Sequence, residues 1–213
     1  MKTDLVIFDC DGVLVDSEPV TDRVMAANLT RHGWPVSPEE VGALFLGGTI
    51  QSAGDEARRR GARLPDDWTD EAYAEIFAAL RQGVDVMPGV FELIDRLEAA
   101  GIALAVASNG PLAKMEITLT PSGLWQRFAG RIYSGHDHGP KPRPDMIWRI
   151  LADADVPRAA AVLIDDSAPG CLSARNAGIR CLGYAPHGDG AALRAVGATP
   201  IRSLDAVAGL LGL

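Results

Sequence analysis

No stretch of the sequence approaches the roughly 18 consecutive apolar residues a membrane-spanning helix requires, so no membrane partner is expected. Met1-Lys2-Thr3-Asp4 runs straight into a short strand-like segment, with no apolar region and cleavage site of a secretory leader. Cysteine is scarce: Cys10, Cys171 and Cys181 form an odd set of 3 without CxxC spacing, which indicates neither a disulfide framework nor a structural zinc site. A reducing cytoplasm is the expected location. Positive charge is also short. Lys and Arg total 20 against 28 Asp and Glu, a net charge of -8, so a nucleic-acid backbone is not the expected partner, although a small basic pocket is still allowed. There is no internal repeat and no low-complexity segment.

What is present describes a folded protein with a proper core. Apolar residues make up 47% of the 213 positions and charged residues 23%, close to globular averages. The length suits one large domain or a body with a smaller attachment. Leu5-Val6-Ile7-Phe8 is a continuous apolar run, and similar runs recur at 102–107 and 160–164; each suits a central parallel strand buried on both faces. Between the first two runs the pattern is helical. Ser17-Glu18-Pro19 opens one helix, Ser37-Pro38-Glu39-Glu40 opens another as a capping box, and helical patterns continue near 50–60 and 70–80. Past Met87-Pro88-Gly89, Val90, Leu93, Ile94 and Leu97 fall at i, i+3, i+4, i+7, with Gly101 as the stop; further helices are expected near 144–154 and 168–177, the latter ended by Gly178. The alternation predicts an α/β fold, a doubly wound parallel-sheet (Rossmann-like) core of residues 1–15 and 86–213, with a helical cap, 16–85, inserted after the first strand.

Four segments carry candidate chemistry, each at the end of an expected strand or in the loop that follows. In Asp9-Cys10-Asp11-Gly12 the two carboxylates lie at i and i+2 and share a side of an extended chain, so they suit a nucleophile and a proton carrier; a polar turn is the plainer alternative. Ser108-Asn109-Gly110-Pro111 offers a hydroxyl and backbone N–H groups at a helix start, which suit a phosphate oxygen or an ordinary turn and cap. Lys114, in the first turns of that helix, reads as solvent-exposed. Lys141, set between Pro140 and Pro142, is either aimed at an anion or exposed in a proline-rich loop. Asp165-Asp166-Ser167 is either a hard oxygen site for Mg²⁺ or a helix cap through Ser167. His136 and His138 lie near the lysine loop without metal-ligand spacing, Cys10 reads as a packing residue, and Arg58-Arg59-Arg60 cannot share one helical face.

The ordered set Asp9-x-Asp11-Gly12, Ser108-Asn109, Lys141-Pro142 and Asp165-Asp166-Ser167 resembles the haloacid dehalogenase-like hydrolase superfamily over nearly the whole chain. Within it, Phe8 to Gly12, Ser108-Asn109-Gly110-Pro111 with Lys114-Met115, and Lys141-Pro142-x-Pro144-Asp145 are similar to the β-phosphoglucomutase-like sugar-phosphate phosphatases, closest to bacterial 6-phosphogluconate phosphatases. The resemblance implies a Mg²⁺-dependent phosphatase of a small phosphorylated metabolite, such as 6-phosphogluconate, working through an aspartyl-phosphate as a monomer or weak homodimer. It implies Asp9 as nucleophile and Asp11 as acid/base, with Ser108 and Lys141 in catalysis. Ser108, Asn109, Gly110 and Lys141 would bind the phosphate, and Asp9, Asp11, Asp165 and Asp166 the metal.

Two alternatives stay open: a sugar-phosphate mutase, and a non-catalytic phosphate-binding regulatory module. Related mutases carry a cap loop of Gly-x-Ser-Arg type. The matching stretch here is Leu46-Gly47-Gly48-Thr49-Ile50-Gln51-Ser52, without arginine, and Thr21 stands where such mutases place a histidine. Arg58, Arg59 or Arg63 would have to supply that charge from another cap position.

Overall fold

The computed structural model describes residues 2–45 and 48–213; Leu46 and Gly47 of the expected cap loop lie outside them. In chain order the strands are β1 (Leu5–Phe8), β2 (Val15–Asp16), β3 (Asp85–Val86), β4 (Ala103–Ser108), β5 (Ile132–Ser134), β6 (Ala161–Asp165), β7 (Arg180–Tyr184) and β8 (Thr199–Ile201). The helices are α1 (Glu18–Arg31), α2 (Pro38–Phe45), α3 (Ile50–Arg59), α4 (Trp68–Leu80), α5 (Val90–Ala99), α6 (Leu112–Leu119), α7 (Leu124–Arg127), α8 (Gly135–His138), α9 (Asp145–Ala154), α10 (Ala168–Ala177), α11 (Ala191–Ala195) and α12 (Asp205–Leu211).

Six strands form one parallel sheet in the order β5-β4-β1-β6-β7-β8, with β1 between β4 and β6. The period-two geometry of a strand sends alternate side chains to opposite faces. Val6 and Phe8 of β1 join Val106 and Ile164 on one face, under Leu93, Ile94 and Leu97 of α5 and Met115 of α6. Leu5 and Ile7 join Ala105 and Leu163 on the other, under Met146, Ile147 and Ile150 of α9 and Ala174 of α10. Burying each large aliphatic or aromatic side chain contributes about 1.5–3 kcal/mol. A strand covered on both faces therefore reads as an unbroken apolar run. Both later central strands end one residue beyond the runs seen in the sequence, which makes Ser108 and Asp165 the last residues of β4 and β6.

Helices α1–α4 surround a third apolar cluster centred on Trp68, which is fully buried. Its indole N–H donates to Asn28 Oδ1 at 2.6 Å, and Asn28 Nδ2 donates to Glu71 at 2.9 Å, so a polar pair ties α1 to α4 inside an apolar cluster. The expected capping box forms: Glu40 N donates to Ser37 Oγ at 3.2 Å and Ser37 N to Glu40 Oε2 at 2.8 Å. A second box joins Thr49 and Ser52 at the start of α3. Strands β2 and β3 pair antiparallel, Val15 opposite Val86 and Asp16 opposite Asp85, so the chain enters and leaves the α1–α4 segment through two adjacent crossings.

Candidate active site

Open parallel sheets place ligands beyond the carboxyl ends of their strands, where chain direction across the sheet reverses. In this sheet that point is β1 with its neighbours β4 and β6. Asp9 follows β1, Ser108 ends β4 and Asp165 ends β6, so three of the expected segments converge there by register alone. Gly12, with φ +78, turns the chain away after Asp11; a Cβ at that position would lie 2.1 Å from Asp166 Oδ2. Gly170, in the first turn of α10, is as restrictive, since a Cβ there would lie 1.9 Å from Asp165 Oδ1. These glycines let backbone pass where the carboxylates stand.

Lys141 supplies the bridge. Its ammonium donates to Asp9 Oδ1 and to Asp165 Oδ2, each at 2.6 Å, and its side chain is only 3% exposed. Asn109 holds the loop in place: Lys141 N donates to Asn109 Oδ1 at 2.7 Å and Asn109 Nδ2 donates to the Lys141 carbonyl at 3.2 Å. The proline-rich loop therefore aims its lysine inward. Asp165 Oδ1 also accepts from Ser167 N at 3.0 Å and Ser167 Oγ at 2.7 Å, while Ser167 Oγ accepts from Gly170 N, so Ser167 caps α10 and also holds the Asp165 carboxylate. Oxygens of Asp9, Asp165 and Asp166 lie within 4.8 Å of one another.

Asp11 sits apart from that trio. Its carboxylate pairs with Lys114 at 2.8 Å and accepts from Ser17 Oγ and, at 3.5 Å, from Ser108 Oγ. Its side chain thus lies outside the three-carboxylate cluster, although the sequence reading placed it among the metal ligands. Ser108 Oγ also accepts from Gly110 N at 3.1 Å, and the Gly110 carbonyl accepts from Ser134 Oγ at 2.8 Å, which fixes the turn into α6.

Lys114 is the residue the sequence reading misplaced. Read as exposed, it is 13% exposed at its side chain and ion-paired with Asp11, because the start of α6 faces a cavity it shares with Asp11, Glu18 and Asp22. His136 accepts or donates a hydrogen bond at 3.1 Å with the Tyr73 hydroxyl of α4, and His138 packs against the Tyr133 ring. Arg58 to Arg60 and Arg63 face outward. Arg58 pairs with Asp55, and Arg59 and Arg60 with Glu56, all away from the cavity; Arg63 is exposed.

The electrostatics follow from this packing. Burial pushes the Asp9 carboxyl up to about 7, with Lys141 opposing the shift and Asp165 and Asp11 adding to it. Burial, then Asp9 and Asp165, hold Asp166 well above the usual carboxylate range. Asp11 goes the other way: burial alone would raise it, and Lys114, Ser17 and Lys141 outweigh burial and hold it below that range. Lys141 is raised, since Asp165 and Asp9 outweigh its desolvation. Three crowded carboxylates against one ammonium leave surplus negative charge, and the donors are all hard oxygens; the trio fits a hard divalent cation.

Above these groups opens a cavity of about 420 Å³, lined at its base by Asp9, Asp11, Ser108, Gly110 and Lys141 and on its far side by Glu18, Thr21, Asp22, Met25, Phe45, Thr49, Ile50 and Tyr73. Burial raises Glu18 to about 7, with Asp11 and Asp22 adding to the effect, and raises Asp22 to about 6 against the pull of Lys114. An α/β sheet with an acidic trio, a bridging lysine and a helix N-terminus around one cavity defines an enzyme built to handle an anionic group.

Comparison with known proteins agrees. The sequence pattern described as haloacid dehalogenase-like hydrolase matches residues 3–178. The chain is 28% identical to 6-phosphogluconate phosphatase of Escherichia coli (strain K12), over 87% of this chain and 85% of that protein. It is 31% identical to Protein CbbY of Rhodobacter capsulatus, over 84% of each. A haloacid dehalogenase-like protein of unknown function from Agrobacterium tumefaciens superposes with a TM-score of 0.84 at 30% identity, over 99% of this chain and 98% of that one. The chain belongs to the haloacid dehalogenase-like hydrolase family, and it is an enzyme of that family's phosphatase kind. Among the described residues no helix is long and apolar enough to cross a membrane.

Proposed function

We propose that the protein is a Mg²⁺-dependent phosphatase of small sugar phosphates, a class that includes the 6-phosphogluconate expected from the sequence. The observation that carries this is Lys141 bridging Asp9 and Asp165 at the base of the cavity, beside Asp166. Mg²⁺ held by Asp9, Asp165 and Asp166 would neutralise the phosphate and keep Asp9 ionised. The negative phosphate bound beside Asp11 raises its pKa, so that it enters this step protonated; Asp9 Oδ attacks phosphorus, the bond from phosphorus to the ester oxygen breaks, and that oxygen leaves with the electron pair and takes the proton from Asp11. The ionised Asp11, favoured by Lys114, then takes a proton from water as the water oxygen attacks the phosphoryl group; free Asp9 and phosphate result, and Asp11 is protonated for the next cycle. Ser108, Asn109 and Gly110 orient the phosphoryl oxygens from the start of α6, and Lys141 offsets their charge.

Residues 16–85 act as the cap in this reading, covering the base of the cavity so that bulk water is excluded during the first step. The chemistry suits a soluble enzyme of a reducing cytoplasm, which matches the three buried free cysteines. The test is phosphate release from p-nitrophenyl phosphate. Turnover with Mg²⁺, loss with EDTA and recovery on adding Mg²⁺ are expected; turnover indifferent to EDTA overturns the metal-dependent reading, and no turnover with any phosphate monoester overturns the phosphatase.

A further inference from the structure

The far side of the cavity is acidic, and the lysine whose field reaches it, Lys114, is ion-paired with Asp11. Glu18 and Asp22 sit one turn apart on the same face of α1, and both line the cavity. Neither carboxylate has a hydrogen-bond or ion-pair partner among the described residues. The cations that line the cavity are Lys114 and Lys141, and both are bound to carboxylates at the base, Lys114 to Asp11 at 2.8 Å and Lys141 to Asp9 and Asp165 at 2.6 Å. The cap arginines 58–60 are paired with Asp55 and Glu56 outside the cavity lining. Leu46 and Gly47, outside the described residues, carry no charge. The remaining polar groups on that side are the hydroxyls of Thr21, Thr49 and Tyr73.

A phosphate ester bound with its phosphoryl group at Asp9 must place its other end against these groups. Resting on the phosphatase reading, we infer that Glu18 and Asp22 select substrates whose far end is neutral or cationic, a polyol, sugar or amino sugar, and reject those ending in a carboxylate or second phosphate. Sugar hydroxyls donate to the two carboxylates, and an ammonium group pairs with them. A carboxylate would meet like charge in a partly desolvated cavity where the nearby Lys114 is already paired with Asp11. The chemistry separates this chain from what the name of its Escherichia coli relative states, since 6-phosphogluconate ends in a carboxylate.

The test compares three six-carbon monophosphates that differ at the far end or in one substituent: glucitol 6-phosphate (neutral), glucosamine 6-phosphate (cationic) and 6-phosphogluconate (anionic). At pH 7.5 with Mg²⁺, kcat/KM for the neutral and cationic compounds should exceed that for the anionic one by about tenfold or more, the ratio about 1.4 kcal/mol of charge repulsion gives. Glu18→Gln with Asp22→Asn should shrink that ratio, by weakening the cationic compound and improving the anionic one. A wild-type preference for 6-phosphogluconate, or a ratio unmoved in the double variant, overturns the inference and leaves the phosphatase standing. Should p-nitrophenyl phosphate and all three compounds resist hydrolysis, the phosphatase reading is what fails. Calorimetric dissociation constants for the three compounds then decide the charge preference without turnover, and equal or absent binding overturns it.

Discussion

Lys141 lies between Asp9 and Asp165 and Lys114 pairs with Asp11; burial wins over Lys141 at Asp9 but loses at Asp11, where Lys114, Ser17 and Lys141 act together, so the two aspartates fall on opposite sides of the ordinary carboxylate range. Two consequences are measurable. A carboxyl whose folded pKa is raised weakens the fold as pH climbs from its unfolded value toward the folded one. Asp9 is raised to about 7, so at neutral pH its ionised form works against stability. Asp9→Asn removes that charge and keeps the shape. In EDTA at pH 7.5 its Tm is expected to equal or exceed that of the wild type, while phosphate release falls by at least about a thousandfold, the scale for losing a covalent nucleophile. A Tm several degrees lower would count against the electrostatic reading, and substantial turnover would end the nucleophile assignment. The second consequence concerns Lys114→Met. Without the ammonium, only Ser17 and Lys141 oppose burial at Asp11 and its pKa rises, so the acidic limb of the kcat profile must move to higher pH if an ionised Asp11 activates water. A limb that stays in place would make Lys114 a bystander.

The elements show why some of this was legible in the chain and some was not. β1 is an unbroken apolar run because helices cover both faces of its sheet, so the aspartates that follow it announce a strand end at the sheet's ligand-binding edge. Ser108, Lys141 and Asp165 were readable for the same reason: each lies at or just beyond a strand or proline-restricted turn. Lys114, Glu18 and Asp22 were not. A lysine or acid in the first turns of an amphipathic helix looks the same whether it faces water or a cavity, and only the tertiary packing that places α1 and the start of α6 around one cavity decides. Strands β5 and β8 escaped because sheet-edge strands are short, at 3 residues each, and half polar. Packing also overrides propensity within α3. A Cβ on Gly54 would lie 2.6 Å from the Trp68 ring, which is fully buried and hydrogen-bonded to Asn28. Helix propensity favours Gly54→Ala by up to about 1 kcal/mol, and overpacking a core costs about 1–3 kcal/mol. The variant should therefore be less stable, with a Tm a few degrees lower by calorimetry; a rise would show that the indole moves aside freely.

For the whole molecule the open question is where the phosphoryl group goes after Asp9 takes it, since a mutase and a phosphatase share every step up to that point. A mutase must hold a sugar bisphosphate with its second phosphate at the far end of the cavity. That end presents Glu18 and Asp22, and Thr21, where the resemblance leads one to expect a histidine, has its hydroxyl bonded to the Ser17 carbonyl at 3.0 Å. Gly48, Thr49 and Ile50 line the cavity from the loop where an arginine would be needed, and Arg58 to Arg60 are engaged elsewhere. A charge-assisted contact to the far phosphate contributes about 1.5–3 kcal/mol, roughly ten- to hundredfold in occupancy, and two unpaired carboxylates subtract further. Water is then the better acceptor. Incubating the enzyme with β-glucose 1-phosphate, a trace of glucose 1,6-bisphosphate and Mg²⁺, and following the products by phosphorus NMR, should show inorganic phosphate accumulating ahead of glucose 6-phosphate. The opposite order would mean that the far end of the cavity accepts a second phosphate after all, and both the hydrolytic assignment and the charge selection by Glu18 and Asp22 would fall together.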